Sequence, residues 1–406
     1  MKIPPPTLRH IFPVACGLAL LYTAPARSAD APRVFFLNAE HMSQTREKVR
    51  GGDLHLATAL EKLKQDADAA LTVGPFSVMH KEMTPPSGDK HDYMTFAPYW
   101  WPDPSKPDGL PYIRRDGETN YALIKVSDRS EMDRMVEAVE TLSIAYYFTG
   151  DEKYAAGACT LLRAWFIEPA TRMNPHFQYA QAIRGLNTGR GIGLIEGAAL
   201  TRFIDAIGLL ADSKSFTSED DQALHKWFDQ LLHWMLDTEQ GRDEDQKKNN
   251  HGTYYDVQVA SYALYLGQPE VARKVLEAAR ERRIAVQIEP DGRQPLELAR
   301  TKAWGYSVGN LQGLMQLAAL GERVGVDLWQ YKTPDGRSIR AAIEYLVPFS
   351  LDQQKWPYQQ IATFTPERLH PLLREAAAKY PDAAFADRAA KLPLDPTDRE
   401  NLLTQK

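Results

Sequence analysis

The chain has 406 residues, of which 44% are apolar and 25% are charged, a composition typical of a soluble globular protein with a sizeable core. Its formal net charge of −5 at pH 7 argues against nucleic acid as a partner, because the molecule as a whole does not attract phosphate groups. A polyanionic ligand would need a locally basic cleft, which the 48 Lys and Arg residues allow.

The first 29 residues have the pattern of a secretory signal peptide. Lys2 and Arg9 precede an apolar run at 11–22, and small residues follow, so cleavage is expected near Ser28 or Ala29. The run is shorter than the ~20 residues that a bilayer span requires, and no later stretch reaches that length. An uncleaved membrane anchor is the alternative. We therefore predict a periplasmic protein with no membrane span in the mature chain.

Cysteine content bears on stability and compartment. After cleavage only Cys159 would remain, because Cys16 lies in the apolar run. The mature chain could then form no internal disulfide, so its stability would come from the size of its core. Export without disulfides is consistent with a bacterial periplasm.

Residues 84–120 form a long segment rich in Pro, Gly and aromatic residues, without helical periodicity. Loops of this length are unusual unless they are functional or disordered, and the aromatic density argues against disorder. Tyr93, Trp100 and Arg115 could form a sugar-binding wall, because aromatic rings cover the apolar faces of pyranoses. Alternatively, the segment packs its aromatic residues onto the protein body and binds nothing.

Helical periodicity dominates the rest of the chain. Apolar residues at 132–146 recur at three- and four-residue spacing, Gly150 is placed as a C-terminal cap, and Asp151 opens a second helix. A similar pair follows, in which Gly267 ends one helix and Pro269 opens the next. Further helices are predicted at 193–211, 219–237, 310–321, 338–347 and 366–379.

Strand signals are limited to two short apolar runs, at 34–37 and 284–288. Many antiparallel helix pairs without a strict repeat favour an all-α fold, an α/α toroid with the aromatic loop over its groove. We predict a single toroid domain at 30–392 and a loose, polar C-terminal tail at 393–406.

The segment 249–256 and a second one about fifty positions later combine side chains suited to removing a proton beside a carboxylate. In β-elimination of a polyuronate, the C5 proton can leave only if the adjacent carboxylate is neutralised. Asn250 and Arg300 suit that task, since an amide and a guanidinium both bind a carboxylate. His251, with a reference pKa of about 6.5, suits the base, and Tyr306, with one of about 10, suits the acid that protonates the departing O4.

Each of these residues also has a structural explanation. The Asn-Asn-His sequence could cap a helix that begins near Tyr254, and Tyr254 itself could be a core or a groove-wall residue. Glu297 and Arg300 could form a surface ion pair of little energy. Because Arg300 and Tyr306 lie six residues apart, a poor match for one helical face, a loop or helix end is expected between them.

Several segments resemble the bacterial alginate lyase domain family. They are His-Asp-Tyr-Met-Thr-Phe-Ala-Pro-Tyr-Trp-Trp-Pro-Asp-Pro at 91–104, Asn-Thr-Gly-Arg-Gly-Ile-Gly at 187–193, Asn-Asn-His-Gly-Thr-Tyr-Tyr-Asp at 249–256 and Leu-Glu-Leu-Ala-Arg-Thr at 296–301. The resemblance covers roughly residues 60–350. It implies an α/α toroid that cleaves polyuronates without a metal cofactor, with an anionic polysaccharide as the substrate.

The resemblance also implies roles for the residues of the two segments. Asn250 and Arg300 would neutralise the substrate carboxylate, Tyr306 would be the catalytic acid, and His251 would be the base or its helper. In members that act where the proton and the leaving group share a face of the sugar, the tyrosine is both base and acid, so the identity of the base stays open. Weaker candidates for substrate contacts are Tyr93, Trp100, Arg115, Tyr179, Gln181, Asn187, Arg190 and Tyr254. Their alternative is a structural role.

One departure concerns the residue after Tyr306, which is Ser307. The best-known alginate lyases of this fold have one more residue between the arginine and the tyrosine, and a histidine after the tyrosine. The pattern here looks more like the branch classed as polysaccharide lyase family thirty-eight, which includes members acting on glucuronan as well as alginate. The choice among mannuronate, guluronate and glucuronate stays open, as does the oligomeric state.

Two other functions are compatible with the sequence. A glycoside hydrolase on a toroid would need a pair of carboxylic acids, for which Asp92, Asp116 and Asp256 are available without a recognisable pairing. A non-catalytic polysaccharide-binding or export factor would use the aromatic loop alone.

Overall fold

Helices form most of the chain in the computed structural model, which describes residues 31–125, 128–380, 382–393 and 395–404. The predicted signal peptide, 1–29, lies outside these residues. None of the helices in these ranges has the length and apolar character needed to cross a membrane.

The helices and strands run in the following order. The helices are α1 (Ala39–Arg50), α2 (Leu54–Ala70), α3 (Tyr121–Lys125), α4 (Arg129–Thr149), α5 (Glu152–Leu162), α6 (Ala199–Leu209), α7 (Ser218–Asp237), α8 (Glu239–Asp245), α9 (Asn250–Tyr265), α10 (Pro269–Ala279), α11 (Ala285–Gln287), α12 (Pro295–Leu298), α13 (Ala303–Glu322), α14 (Ile339–Ser350), α15 (His370–Lys379), α16 (Ala383–Ala389) and α17 (Glu400–Leu403). The strands are β1 (Met94–Phe96), β2 (Trp100–Trp101), β3 (Ile113–Arg114) and β4 (Tyr179–Ala182). Three short 3₁₀ segments occur at Val78–His80, Gly191–Ala198 and Pro366–Leu369, and two π turns follow α5 and α10, the first at Arg163–Ile167 and the second at Arg280–Ile284.

The same helix-pair unit occurs at α4–α5 and at α9–α10. Gly150 ends α4 in the left-handed conformation at φ 71°, and the Asp151 side chain accepts a hydrogen bond from the first turn of α5. Gly267 has φ 72°, and Pro269 is the first residue of α10. Both pairs were predicted from these capping residues. In each pair the second helix ends in a π turn.

Two helices, α9 and α13, lie at the centre of the helical body. Most residues of both are buried on every face, and α9 packs against α6, α10 and α13. A hydrophobic cluster extends through this body from Val34 to Leu403. The antiparallel helix pairs around it form an α/α toroid, which confirms the predicted fold class. The domain limits predicted from the sequence stay a prediction.

The aromatic loop at 84–120 contains three of the short strands. β2 pairs antiparallel with β3, with Trp100 opposite Arg114, and β1 pairs in parallel with β4, with Met94 opposite Tyr179. Beneath these strands lies a small apolar cluster of Met94, Phe96, Leu123 and Ala182. The loop is therefore a folded hairpin with its own small core.

Both strands predicted from apolar runs are wrong. Residues 34–37 pair with no strand, because the backbone N–H groups of Phe35, Phe36 and Leu37 donate instead to the Asp205 carboxylate at 2.6–2.9 Å. Residues 284–287 continue from the second π turn through α11, with Ile284 buried and Val286 exposed, and the buried Ile288 follows the end of α11.

The loose tail predicted at 393–406 is also wrong for the part that the structure describes. Helix α17 packs against α1 and α2, and Leu402 and Leu403 are buried there. Arg399 donates to the hydroxyl of Thr141 at 3.1 Å. Burial of Leu402 and Leu403 stabilises the position of this part of the segment on the body.

A buried ion pair ties α9 to the second π turn. The side chains of Arg283 and Asp256 are 2% and 1% exposed, and the guanidinium donates two hydrogen bonds to the carboxylate at 2.8 and 2.9 Å. Such a bidentate pair fixes the direction of both side chains.

Removing the acid of this pair should destabilise the fold strongly. In Asp256→Asn the guanidinium would stay buried without its bidentate partner, with only the part-exposed Asp245 left at 3.5 Å, so we expect the free energy of unfolding to fall by about 3 kcal/mol. Chemical denaturation at neutral pH measures this change. The control is Glu47→Gln in the exposed pair of Glu47 and Arg50, for which we expect less than about 1 kcal/mol. Equal losses in the two variants would contradict the argument.

Candidate active site

Asn250, the first residue of α9, is fixed by a buried carboxylate. Its backbone N–H and its Nδ2 each donate to Glu297, at 2.7 Å to Oε1 and 2.7 Å to Oε2. Burial raises the pKa of Glu297, while the hydrogen bonds from Asn250 and the charge of Arg300 act in the opposite direction. Glu297 is therefore not part of a surface ion pair with Arg300, the structural alternative considered above, because it is buried and positions the Asn250 amide.

The loop before α9 is held by Arg283, the arginine of the buried pair. Arg283 donates to the backbone carbonyls of Lys247 and Asp245, at 2.9 and 2.8 Å. Gly252 makes this approach possible, since a Cβ at that position would lie 2.1 Å from the Lys247 carbonyl oxygen and 2.7 Å from a guanidinium nitrogen. The glycine in the Asn-Asn-His-Gly sequence thus serves close packing beneath Asn250.

His251 is oriented by a second buried carboxylate. Its Nδ1 lies 2.8 Å from Oε1 of Glu244, whose side chain is 0% exposed, while the imidazole itself is 17% exposed. An ionised carboxylate accepts hydrogen bonds and has no proton to donate. The Glu244 carboxylate therefore favours the form of His251 that carries its proton on Nδ1. The lone pair of a neutral His251 is then on Nε2, the nitrogen that can accept a proton.

Arg300 lies in the break between α12 and α13, as the poor helical match with Tyr306 predicted. Its Nε and Nη2 donate to Asp116 in the aromatic loop at 2.7–3.2 Å, and the Thr301 side chain donates there at 3.1 Å. Partial burial opposes the charge of Asp116, but the hydrogen bonds from Arg300 and Thr301 outweigh it and hold the pKa of that carboxyl well below its usual range. Asp116 is therefore a permanent anion beside Arg300.

Tyr306 lies against the same guanidinium. Its phenol oxygen accepts a hydrogen bond from Nη2 of Arg300 at 2.7 Å and donates to the hydroxyl of Tyr99 at 2.9 Å. The guanidinium carbon also lies 3.8 Å from the centre of the Tyr306 ring. Burial and the neighbouring Tyr99 raise the pKa of Tyr306 well above its usual value, although the charge of Arg300 lowers it. The phenol is therefore protonated at neutral pH and can act as an acid.

A buried amide network joins the two segments that carry these residues. Asn310 on α13 donates to the side-chain oxygens of Gln287 and Gln294, at 2.8 Å each. Gln287 also accepts from Thr253 on α9 at 2.9 Å, and Gln294 donates to the carbonyl of Ser307 at 3.0 Å. The charges of Arg300 and His251 both act on Glu297. The structure therefore brings the four predicted catalytic residues into one cluster, Asn250, His251, Arg300 and Tyr306.

Arg190 is at the centre of a second polar group. It donates to the backbone and side-chain oxygens of Gln181, at 3.0 and 2.9 Å, and lies 6.0 Å from the ring centre of Trp100. Burial and the nearby Arg114 lower the pKa of Arg190 to about 10. Gln181 has φ 51°, a conformation that is unusual for a residue other than glycine and that recurs at binding sites. The charges of Glu196, Glu244 and Asp243 act in the opposite direction and favour the charged guanidinium. A guanidinium can bind the carboxylate of an anionic sugar with two hydrogen bonds.

Two predicted contact residues have their side chains turned inward. Tyr93 is fully buried and donates to Glu196 at 2.9 Å, so the prediction that it contacts substrate is wrong. Its aromatic loop folds over the toroid, and this ring fills the interface between them. The half-buried Tyr254 donates to the carbonyl of Gly309 at 2.8 Å, and burial raises its pKa to about 12. Its hydroxyl therefore joins α9 to α13.

The remaining predicted contacts lie at the surface. Arg115 is exposed and stacks over Trp101 at 5.4 Å, and Tyr179 is half-exposed at the start of β4. The Asn187 side chain accepts a hydrogen bond from the backbone N–H of Ile183 at 3.1 Å and so closes its own loop. Arg115 and Tyr179 are accessible to a ligand, whereas the side-chain oxygen of Asn187 is already bound to the backbone of its own loop.

The three carboxylates considered for hydrolysis all have side-chain partners, two of them arginines and one a histidine. Asp116 binds Arg300, Asp256 binds Arg283, and Asp92 lies 2.9 Å from Nε2 of His176. A glycosidase needs one carboxylic acid that is protonated and a second carboxylate placed opposite it. None of the three is arranged in this way.

Sequence reasoning did not assign their positioning role to the residues that hold the site, although it considered Asp116 and Glu297 in other roles. These residues are Tyr99, Asp116, Glu244 and Glu297. Asp116 contacts Arg300 across a separation of 184 residues, which no local pattern reveals. Tyr99 lies inside the segment at 91–104, where the number of aromatic residues concealed the one that reaches Tyr306.

Comparison with known proteins identifies the family. The sequence model described as alginate lyase matches residues 77–356, more than half of the chain. The chain belongs to the alginate lyase family. The crystal structure of an alginate lyase from Bacteroides ovatus matches with a TM-score of 0.88 and 43% identity over 92% of this chain and 99% of the other. Alginate lyase A1-III from Sphingomonas species A1 matches with a TM-score of 0.58 and 16% identity, over 91% of this chain and 95% of the other, which supports the fold alone.

Comparison with curated proteins gives no significant match. Family membership nonetheless makes the chain a polysaccharide lyase that acts on uronic acid polymers, as predicted. The glycoside hydrolase and the non-catalytic binding factor are not favoured. The roles of single residues in this lyase stay predictions.

The protonation state of the Tyr306 phenol can be measured directly in this lyase. Because its pKa lies well above that of a free tyrosine, Tyr306 should contribute no tyrosinate absorbance as the pH rises to about 10. The difference between the titrations of the wild type and Tyr306→Phe should be flat over this range. A phenol that ionises near neutral pH would give a step in the difference curve and would refute a protonated Tyr306.

Proposed function

We propose that this lyase cleaves a polymer of the alginate or glucuronan type by β-elimination, leaving a C4–C5 unsaturated uronate at the new end. The observation that carries the proposal is the contact of one guanidinium with the phenol that would serve as the acid, Arg300 with Tyr306 at 2.7 Å. The relative from Bacteroides ovatus, itself named an alginate lyase, supports the substrate class.

Neutralisation of the substrate carboxylate is assigned to Arg300 and Asn250. Among the described residues Nη1 of Arg300 has no hydrogen-bond partner, because Nε and Nη2 hold Asp116 and Tyr306. The Asn250 amide has a second N–H beyond the one bound to Glu297. These donors would stabilise the charge that develops on the carboxylate when the C5 proton leaves.

His251 is assigned as the base for bonds in which the C5 proton and O4 lie on opposite faces of the ring. Nε2 takes the C5 proton, and the Glu244 carboxylate stabilises the resulting imidazolium. The C5–H electron pair becomes the C4–C5 double bond, the C4–O4 bond breaks, and O4 receives the phenol proton of Tyr306. Arg300 stabilises the tyrosinate that remains.

A different assignment applies where the C5 proton and O4 share a face of the ring. Tyr306 is then the group next to both atoms, so it would take the C5 proton as tyrosinate and return it to O4. Tyr306 must then lose its proton before the reaction, a step that burial and Tyr99 oppose and that the charge of Arg300 favours. His251 would assist without touching the reacting proton.

Replacing the acid should abolish cleavage and leave binding in place. In Tyr306→Phe we expect kcat to fall by about 10³-fold or more, since a positioned proton donor contributes roughly 10²–10⁴-fold and its tyrosinate would also be lost. Ultraviolet absorbance of the unsaturated product measures cleavage on polymannuronate, polyguluronate and glucuronan.

The matched control for this substitution is Tyr331→Phe, which removes a phenol bound to Glu281 away from the cluster. It should cleave at the wild-type rate. Wild-type protein that forms no unsaturated product on any of the three polymers would refute the lyase mechanism. Undiminished cleavage by Tyr306→Phe would refute the assignment of the acid.

We also propose that this lyase acts in the periplasm after export through the signal peptide at 1–29. The order of charged, apolar and small residues supports export, and a long polymer is accessible to an enzyme outside the cytoplasm. N-terminal sequencing of protein recovered from the periplasm should begin near Ala29. Recovery of an intact N-terminus from the membrane fraction would favour the uncleaved anchor instead.

A further inference from the structure

A second cavity lies away from the catalytic cluster, beside the first π turn. It has a volume of about 680 Å³ and is bounded by the π turn, the segment 172–176 and the outer face of α7. We refer to it as the side pocket and define it by six of the residues that line it: Arg172, Asn174, His176, Lys226, Gln230 and Trp234. The volume is in the range of pockets that hold small organic ligands.

The charge of the side pocket is positive on a protein whose net charge is −5. Arg172 and Lys226 are both exposed at its edge, and neither side chain is in an ion pair or hydrogen bond with the residues that the structure describes. Its lining in the described chain includes no Asp or Glu. Two cations without a protein counter-charge at one cavity provide attraction for an anion.

An aromatic surface lies next to these cations. The rings of Trp234 and His176 are 6.1 Å apart with an angle of 37° between their planes, and both are partly exposed. His176 is held in place, because it contacts Asp92 at 2.9 Å and its Nδ1 accepts the backbone N–H of Gln178 at 3.3 Å. A fixed aromatic surface beside cations matches a sugar that has one apolar face and one carboxylate.

A series of bonded residues leads from the side pocket to the catalytic cluster. The segment that contains His176 continues to Gln178, whose carbonyl accepts a hydrogen bond from Gln240 at 2.9 Å. Gln178, Gln240 and Arg190 line a further cavity of about 420 Å³. Helix α8 leads from Gln240 to Glu244, the partner of His251. The segment 176–178 therefore borders the side pocket at His176 and the cavity beside Arg190 at Gln178.

We infer that the side pocket is a second binding site for uronate residues of the polymer, outside the catalytic cluster. The inference rests on the proposed function for the identity of the sugar, whereas the charge and the aromatic surface are independent of it. A polymer held there would raise the local concentration of uronate units beside the cluster.

The test uses the double variant Arg172→Glu and Lys226→Glu in a Tyr306→Phe background, in which bound polymer is not consumed. Affinity electrophoresis through gels containing alginate or glucuronan should show binding weakened about tenfold, because two attractive contacts become repulsive. The control is Lys48→Glu with Lys274→Glu, two exposed lysines on α1 and α10, which changes the net charge equally. The control should bind within about twofold of the background variant.

The outcomes separate this inference from the proposed function. Equal affinities of the double variant and the control would overturn the side pocket as a uronate site. Equal weakening on a neutral polysaccharide such as dextran would also overturn it, since the loss would then not concern a charged sugar. The binding comparison is made with inactive protein, so it decides the pocket even if the wild type cleaves none of the polymers.

Discussion

The ion pair between Arg300 and Asp116 is the interaction on which the arrangement of the site depends. It joins the aromatic loop to the break between α12 and α13, across 184 residues of sequence. The loop has only a small apolar cluster of its own, so its position over the toroid depends on such polar contacts together with the buried ring of Tyr93. The same guanidinium contacts Tyr306, and Tyr306 contacts Tyr99 of the loop. The ion pair between Arg300 and Asp116 therefore fixes the positions of the loop, the Arg300 guanidinium and the Tyr306 phenol relative to one another.

Each of three residues proposed to meet the substrate is fixed by a carboxylate behind it. Glu297 holds Asn250, Glu244 holds His251 and Asp116 holds Arg300. Burying these acids costs solvation free energy, which the hydrogen bonds to each acid offset only in part. What the protein gains is a set of donors whose directions are determined before a substrate arrives, so that little reorganisation is needed during proton transfer.

The sequence predicted the parts of the fold that depend on local signals. Gly150 and Gly267 end helices because each needs a left-handed conformation, and such positions are visible in a sequence. The sequence also pointed to four residues that the structure brings together, since their chemistry is distinctive, although their catalytic roles stay a prediction. Their partners were not, because contacts such as Asn250 with Glu297 depend on how helices pack. For the same reason Tyr93 was predicted to face the substrate, whereas its ring is buried. Composition does not show which ring of a loop faces inward.

At the second π turn, the number of residues in the turn is constrained as well as their identity. A π turn contains one residue more than a regular helical turn, and here that residue sets the direction of Arg283. Deleting one residue from Arg280–Ile284 would rotate the following residues by about 100° and take the guanidinium away from Asp256 and the loop of Asn250. Homologues should therefore vary in side chains at this turn more readily than in the number of residues, and an insertion or deletion there should mark a sequence that has lost the lyase activity.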